Sequence, residues 1–234
     1  MSLVHATAWV DPLAQLAEDV EVGPFAAIEA DAQIGAGSRV GAHVYVGPGV
    51  VVGANASLGE GCVLLARTRL QADCRIEPGA VVGSTGFGFV LHQGQHVHIP
   101  QVSGVEIGRR VVIGAGTCVD RGTLEPTRIG DDAEIGAQVQ VAHNVSIGPR
   151  SKVEQQAGFA GTSSIGADCT VGMQSGMAGQ SSLGDRSKMA VRTGNLRKAP
   201  PDSDLWGFPA RPRQEAMKAQ AALARLGKLP DADS

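Results

Sequence analysis

The chain has 234 residues, of which 32 are Gly and only 3% are aromatic, with 20 Lys/Arg against 23 Asp/Glu for a formal net charge of −3. That balance excludes a conventional globular core and points to one elongated domain with a thin interior. No apolar run reaches the ~18 residues of a membrane span, and the N-terminus lacks the basic-then-apolar pattern of a secretion signal, so a cytoplasmic location is expected.

From Val10 to Val82 every sixth residue is aliphatic, through Leu16, Val22, Ile28, Ile34 and Val40. The beat returns at Ile107, Ile113 and Val119, then runs from Ile129 to Met189, giving 27 anchors. Period six matches neither a helix face nor a simple strand alternation. It describes a short strand, a turn and a restart, and the turns come from the Gly after many anchors, as in Ile34-Gly35 and Ile113-Gly114. Four residues after each anchor sits a second, mostly small residue, such as Ala26, Ala32, Ser38, Cys62 and Cys74, and later Ala133, Ala157, Ser163 and Cys169. One large and one small inward residue per repeat fill a narrow triangular prism with three parallel-strand faces. The pattern resembles the left-handed parallel β-helix of hexapeptide-repeat proteins, an all-β solenoid; the left hand is implied by that resemblance. Three strands make an 18-residue coil, so about nine coils spaced ~4.8 Å apart give a prism roughly 40 Å long. Residues 1–194 are read as the solenoid and 195–234 as a C-terminal extension. Cys62, Cys74 and Cys169 hold the small inward slot and Cys118 precedes an anchor; no spacing among the cysteines suggests metal or redox work.

Two interruptions break the beat. The first, residues 83–106, contains Phe87-Gly-Phe-Val-Leu-His-Gln-Gly-Gln-His-Val-His-Ile99, which predicts a β-hairpin turning at Gln93-Gly94. His92, His96 and His98 are read as solvent-facing strand residues and not as metal ligands. The second, residues 120–128, is four residues longer than the beat requires and predicts a small loop. After Thr193 the chain passes through Lys198-Ala-Pro-Pro201 and Trp206-Gly-Phe-Pro-Ala-Arg-Pro212 into a helix over 212–226. Its stripe of Ala216, Ala219, Leu223 and Leu226 is expected to dock on the prism or on a neighbour. Charge is segregated: residues 1–185 carry a net −8 and residues 186–228 a net +7. This basic collar would steer an acidic carrier protein or a phosphorylated cofactor. The scarcity of aromatics argues against single-stranded nucleic acid.

The chemistry is expected at Val141-Ala-His143-Asn144. Two residues past an anchor, His143 stands near a corner, where a side chain points outward and can act as a general base near neutral pH. One coil later lies Gly161, whose bare N–H would sit beside His143 on the next rung and could hold an oxyanion. No Ser or Cys nucleophile has a convincing context, so direct attack is favoured over a covalent acyl-enzyme.

The segments Val81-Val-Gly-Ser-Thr-Gly-Phe-Gly-Phe89, Ile99-Pro-Gln101 and Val105-Glu-Ile-Gly108 resemble one family, as do Cys118-Val-Asp-Arg-Gly-Thr123 and Gln138-Val-Gln-Val-Ala-His-Asn-Val-Ser-Ile-Gly148. They are similar to the UDP-3-O-(3-hydroxyacyl)glucosamine N-acyltransferases of lipid A synthesis, from about Ala6 to about Leu226. That resemblance implies a homotrimer that moves a 3-hydroxyacyl chain from acyl carrier protein to a glucosamine amine, with no metal or further cofactor. It implies His143 as general base, Gly161 beside it, and Gln180 at the position of a second active-site His. It further implies substrate contacts from Asn144, Asp120, Gln140, Phe87 and Phe89, and carrier contacts from Arg192, Arg197, Arg211, Arg213 and Lys218. An acyl groove between subunits is expected, with Met173, Met177 and Met189 as candidate lining residues, although Met177 and Met189 occupy anchor positions. The chain departs from the family at Gly136-Ala137, where Asp-Asn is usual, and at Gln180; it also starts directly in repeats, without the family's uridine-gripping domain, and is read as a shortened relative. A CoA-dependent sugar acetyltransferase, suggested by Gly207-Phe-Pro-Ala-Arg211, and a non-catalytic trimeric scaffold stand as alternatives.

Overall fold

The computed structural model describes residues 2–226 and is a parallel β-solenoid closed by one helix. Its strands, mostly two residues long, build three ladders. The first face has twelve strands, from Leu3–Val4 to Arg211–Pro212; the second has ten, from Trp9–Val10 to Gly194–Asn195; the third has ten, from Gln15–Leu16 to Lys198–Ala199. The solenoid is longer than the nine expected coils because Val4, six residues ahead of Val10, already pairs with Val22, and because Asn195, Ala199 and Leu205 extend the ladders beyond Met189 without obeying the consensus, pairing with Met177, Leu183 and Met189. Register is regular along most of the stack: Glu21 pairs with Arg39, Arg39 with Ser57 and Ser57 with Arg75, each eighteen residues on, while a register shift between Val82 and Ser84 marks the start of the first excursion.

The anchors fill the axis. Ile28, Val46, Leu64, Ile76, Val82 and Val141 are fully buried, and Met177 and Met189 lie in this core, Met177 also forming part of the floor of a groove on the second face. Most inward serines are satisfied by the backbone they meet, the buried Ser163 hydroxyl being an exception among the described residues. Ser38 Oγ donates to the Gly53 carbonyl (3.1 Å) and accepts the Ala56 N–H (3.1 Å); Ser151 does the same with Gly166 and Cys169. A hydroxyl therefore costs little where the axis is too narrow for a larger apolar group. Burial pushes the Cys62 thiol up to about 12, which makes it unreactive filler.

Most corners turn through a residue of positive φ, and eighteen-residue stacking converts these into columns. Between the first and second faces Gln138, Gln156 and Gln174 pass amide hydrogen bonds up the stack to Arg192. Between the third and first faces Arg and Asp alternate. Arg110 donates Nε and Nη2 to Asp132, Arg150 does so to Asp168, and Arg186 to Asp202, at 2.6–2.8 Å. The hairpin forms as the sequence predicts, Phe89–His92 against Gln95–His98, with Gln93 and Gly94 both at positive φ. The helix, Arg213–Leu226, packs chiefly against the strands Asp204–Trp206 and Arg211–Pro212. Ala216 is half-buried, whereas Ala219 and Leu223 are exposed, so the stripe does not dock on its own prism. Residues 227–234 of the expected extension lie outside the described residues.

The Arg110, Arg150 and Arg186 guanidiniums hold Asp132, Asp168 and Asp202 below the usual carboxylate range. A depressed native pKa gives stability that is present above the unfolded value, about 4, and is lost as pH falls through the native values. The triple variant Asp132→Asn, Asp168→Asn, Asp202→Asn is therefore expected to melt earlier than wild type at pH 7 and to converge with it in strong acid. Thermal unfolding by circular dichroism across pH 2–7 checks this; a gap that persists at the acid end would show that the ladder acts other than through its charge.

Candidate active site

Both excursions and His143 emerge from the same corner, between the second and third faces, on three successive coils. The hairpin segment joins Val81–Ser84 to Val105–Ile107, the loop joins Cys118–Asp120 to Thr127–Ile129, and His143 lies between Gln140–Val141 and Ser146–Ile147. The half-buried imidazole is held between two glycine backbones. A Cβ on Gly86, at the hairpin's base, would come within 2.8 Å of His143 Cβ; one on Gly161 would come within 2.5 Å of both Cε1 and Nε2. Only glycine permits that approach from either side.

The partners of the ring assign the donor role to Nδ1. His143 Nδ1 lies 3.0 Å from Asn144 Oδ1. The Asn144 amide is oriented by the Thr123 N–H donating to Oδ1 (3.1 Å) and by its own Nδ2 donating to the Glu125 carbonyl (2.7 Å). Oδ1 is thus an acceptor and Nδ1 the donor to it; in the neutral imidazole this leaves the lone pair on Nε2, which faces Gly161. The half-exposed Gly161 N–H makes no hydrogen bond among the described residues. A base with a free lone pair and an uncommitted backbone donor thus stand together.

Asp120 lies beneath, 8% exposed, with Ser84 Oγ donating at 2.6 Å and Gln140 Nε2 at 3.0 Å. Burial pushes its carboxyl above the usual range, while these two hydrogen bonds and the nearby His143 pull it back. Asn144 has both amide atoms engaged within the chain, so its side chain faces its own loop. Gln180 is exposed, two coils from Asn144 in the same column; its N–H reaches the Gly161 carbonyl (3.3 Å), and its side chain makes no hydrogen bond among the described residues. Phe87 is exposed and packs edge-on to Phe89 at 5.0 Å, beside Gly86. Arg192 is tied to Gln174; Arg197 is exposed at the shortened corner ahead of Lys198–Ala199, its carbonyl accepting the Ser182 N–H; Arg211, Arg213 and Lys218 are exposed beyond the last coil. Spacing did not reveal Gly86, Ser84, Gln101 or Thr123, whose contacts arise across the excursions. The phase of the anchors was the available signal, since Val82, Val119 and Val141 all lie on the second face.

Along that face the outward strand positions run Gln140, Gly158, Gly176, Gly194 in register. They floor a groove of about 630 Å³ flanked by Ala142, Ala160 and Ala178, with Phe208 lying over Gly194 at its far end. Met173, 38% exposed, does not line it. A larger depression of about 790 Å³ lies on the first face, crossed by the Arg39–Glu21 and Arg75–Glu77 ion pairs and remote from His143. Among the described residues no three His, Cys, Asp or Glu side chains gather as a metal site, and no helix is long and apolar enough to cross a membrane.

Fold and site together define a hexapeptide-repeat solenoid with a corner-mounted histidine. The bacterial transferase hexapeptide family matches residues 13–48, 31–66 and 126–161, and the hexapeptide repeat of succinyl-transferase matches 99–121. More particularly, the chain is similar to UDP-3-O-acylglucosamine N-acyltransferases. It is 45% identical to that of Xanthomonas axonopodis pv. citri over 89 residues, 38% of this chain and 26% of that protein. It is 50% identical to that of Shewanella denitrificans over 84 residues, 36% of this chain and 25% of that protein. The matches therefore span about a quarter of these relatives' length. In fold the chain resembles the UDP-N-acetylglucosamine acyltransferase of Francisella novicida, with a TM-score of 0.66 at 20% identity over 93% of this chain and 73% of that one. It likewise resembles the UDP-N-acetylglucosamine O-acyltransferase of Moraxella catarrhalis, with a TM-score of 0.64 at 22% identity, covering 93% and 77%.

Gly161 has no positive φ, so its backbone accepts a side chain and only the imidazole objects. Gly161→Ala is expected to keep the melting temperature within a few degrees of wild type while displacing the His143 ring, seen as a shift of its Cε1–H resonance. An unmoved resonance would contradict the packing described.

Proposed function

We propose that this chain transfers a (3-hydroxy)acyl group from acyl carrier protein to the amine of a UDP-glucosamine-type sugar. The observation that carries this reading is the free Nε2 of His143 set against the uncommitted Gly161 N–H. As the amine attacks the thioester carbonyl, Nε2 removes its proton and the Gly161 N–H stabilises the oxyanion. The new N–C bond forms, the C–S bond breaks, and the imidazolium returns its proton to the departing thiolate. Asn144 keeps the base in its working tautomer, and the neighbouring Asp120 carboxylate favours the transient imidazolium. Base, oxyanion donor and activated thioester suffice, so no further cofactor enters the steps.

The glycine ladder is the groove for the acyl chain. A Cβ at Gly158 meets nothing within 4 Å and one at Gly176 only the Gly158 carbonyl at 3.8 Å, and neither residue has positive φ. Nothing in the chain's own packing demands Gly there, and strands disfavour it; a bare face that admits a ligand is the remaining reason. Gln140, Phe87 and Phe89 border the acceptor side. Arg197 leads to the collar of Arg192, Arg211, Arg213 and Lys218, which receives the acidic carrier. Three copies in parallel make the working unit, supported by the outward ladder Trp9, Ala27, Tyr45, Val63, Val81, Cys118 on the second face and by the uncovered stripe of the helix. The site works in the cytoplasm, where carrier-bound acyl chains are made.

Purified protein is expected to acylate UDP-3-O-acylglucosamine from 3-hydroxyacyl carrier protein, with turnover lost in His143→Ala. Transfer from acyl-CoA alone would support the acetyltransferase alternative, and no transfer from either donor would sink the enzyme reading. Gly176→Leu should shift preference toward shorter acyl chains at least tenfold, measured as kcat/KM across a donor series; an unchanged profile would place the chain outside this groove.

A further inference from the structure

The four extra residues of the second loop have no role in the ladders, which resume in register at Thr127. What the loop brings to the site is a set of polar groups. The Thr123 N–H and the Glu125 carbonyl address the two ends of the Asn144 amide (3.1 and 2.7 Å). Thr123 Oγ1 lies 2.8 Å from Asn144 Oδ1 and 2.6 Å from Oε1 of Gln101. Gln101 is 7% exposed and donates Nε2 to the Ile99 carbonyl at the hairpin's base (3.0 Å), which turns its Oε1 toward Thr123. Thr127 Oγ1 accepts the Asn144 N–H (3.0 Å), holding that residue at φ 60°. Two independent glycine clearances point the same way. A Cβ on Gly122 would fall 1.7 Å from the Glu125 oxygen and 3.0 Å from Asn144 Nδ2, and one on Gly88 would fall 2.9 Å from Gln101 Nε2.

We propose that Gln101 and Thr123 are positioning residues that, through Asn144, select the His143 tautomer with Nδ1 protonated, so that both excursions act on the base as one polar relay. This deepens the reading of His143 as a general base and rests on it for its catalytic consequence, but not for its structural content. An Asn amide can present either oxygen or nitrogen to a neighbouring imidazole. If it turned over, the NH₂ would face Nδ1, the proton would move to Nε2, and the lone pair would point away from Gly161. Asn144 cannot enforce its own orientation; the Thr123 N–H and the Glu125 carbonyl do so. The Thr123 hydroxyl has one proton for two acceptor oxygens, and its contact with Gln101 ties the loop to the hairpin.

The test is long-range ¹H–¹⁵N correlation of the His143 imidazole in the full chain, above its titration, for wild type, Asn144→Ala, Gly122→Ala, Thr123→Val and Thr123→Ser. Wild type is expected to show protonated Nδ1 and unprotonated Nε2. Asn144→Ala and Gly122→Ala should move the population toward protonated Nε2, Thr123→Val should do so partially, and Thr123→Ser should restore the wild-type pattern. Circular dichroism confirms that each variant is folded, and a variant that is not folded is replaced by Gln101→Leu, expected to act as Thr123→Val does. In the acyl-transfer assay the shifted variants should lose at least about tenfold in kcat with KM little changed, within the ~10²–10⁴ that a general base supplies. A wild-type ring protonated on Nε2, or folded Gly122→Ala and Thr123→Val with wild-type tautomers, would overturn the relay. Shifted tautomers in a protein that transfers no acyl group would leave the relay standing and sink the substrate reading instead.

Discussion

Everything in this molecule depends on the backbone ladder that places each residue about 4.8 Å from the one a coil away. Because the strands are mostly two residues long and the register regular, a coil has little freedom to slide, and corner residues meet their counterparts directly. That is why Gln138, Gln156 and Gln174 can pass a hydrogen bond along three rungs, and why Arg150 finds Asp168 with both oxygens. The same stacking sets Gly161 against the His143 ring. A base and a backbone donor are juxtaposed by the repeat itself, without a dedicated scaffold.

The ladder also dictates where the chain can depart from regularity. An insertion within a strand would disturb the ladder to which that strand belongs, whereas an insertion at a corner leaves the strand pairs intact. Both excursions take that course: Val105 returns to pair with Thr68, and Thr127 with Val105. Their position on two consecutive coils just ahead of His143 turns an otherwise smooth column into a walled site. Gly86, Thr123 and Glu125 approach the histidine from segments that are remote along the chain but adjacent along the stack. Solenoids interact only between neighbouring coils, so a site of this kind is assembled from pieces one or two rungs apart.

The three faces divide the work. The third-to-first corner spends its side chains on alternating charge, and the first face carries further ion pairs at Arg39–Glu21 and Lys152–Glu134. The second face is apolar through Val63 and Val81, then bare at Gly158 and Gly176. A smooth strip beginning beside the base and ending under Phe208 has the shape an extended hydrocarbon requires. The similarity to UDP-3-O-acylglucosamine N-acyltransferases spans about a quarter of those proteins; the acceptor and donor proposed for this chain rest on that similarity, and base, groove and collar supply a geometry suited to them.

The amino-acid sequence by itself determined the solenoid, because a six-residue apolar period with a small second residue has one way to close a core, and each anchor reports this locally. It determined His143 and Gly161 as a pair, since eighteen residues is one coil. It also placed the hairpin turn at Gln93-Gly94, where local φ preferences decide. Only the tertiary structure decided that Asn144 turns its amide to the loop, that the side chain of Gln180 stays in solvent, and that Gly86 closes over the imidazole. Those contacts join segments whose separation along the chain follows no period, and side-chain direction at a corner is set by the groups that meet there. The helix stripe illustrates the same limit: its apolar spacing is plain in Ala216, Ala219 and Leu223, but spacing left open whether it docks on the prism or on a neighbour, and in the structure Ala219 and Leu223 are exposed.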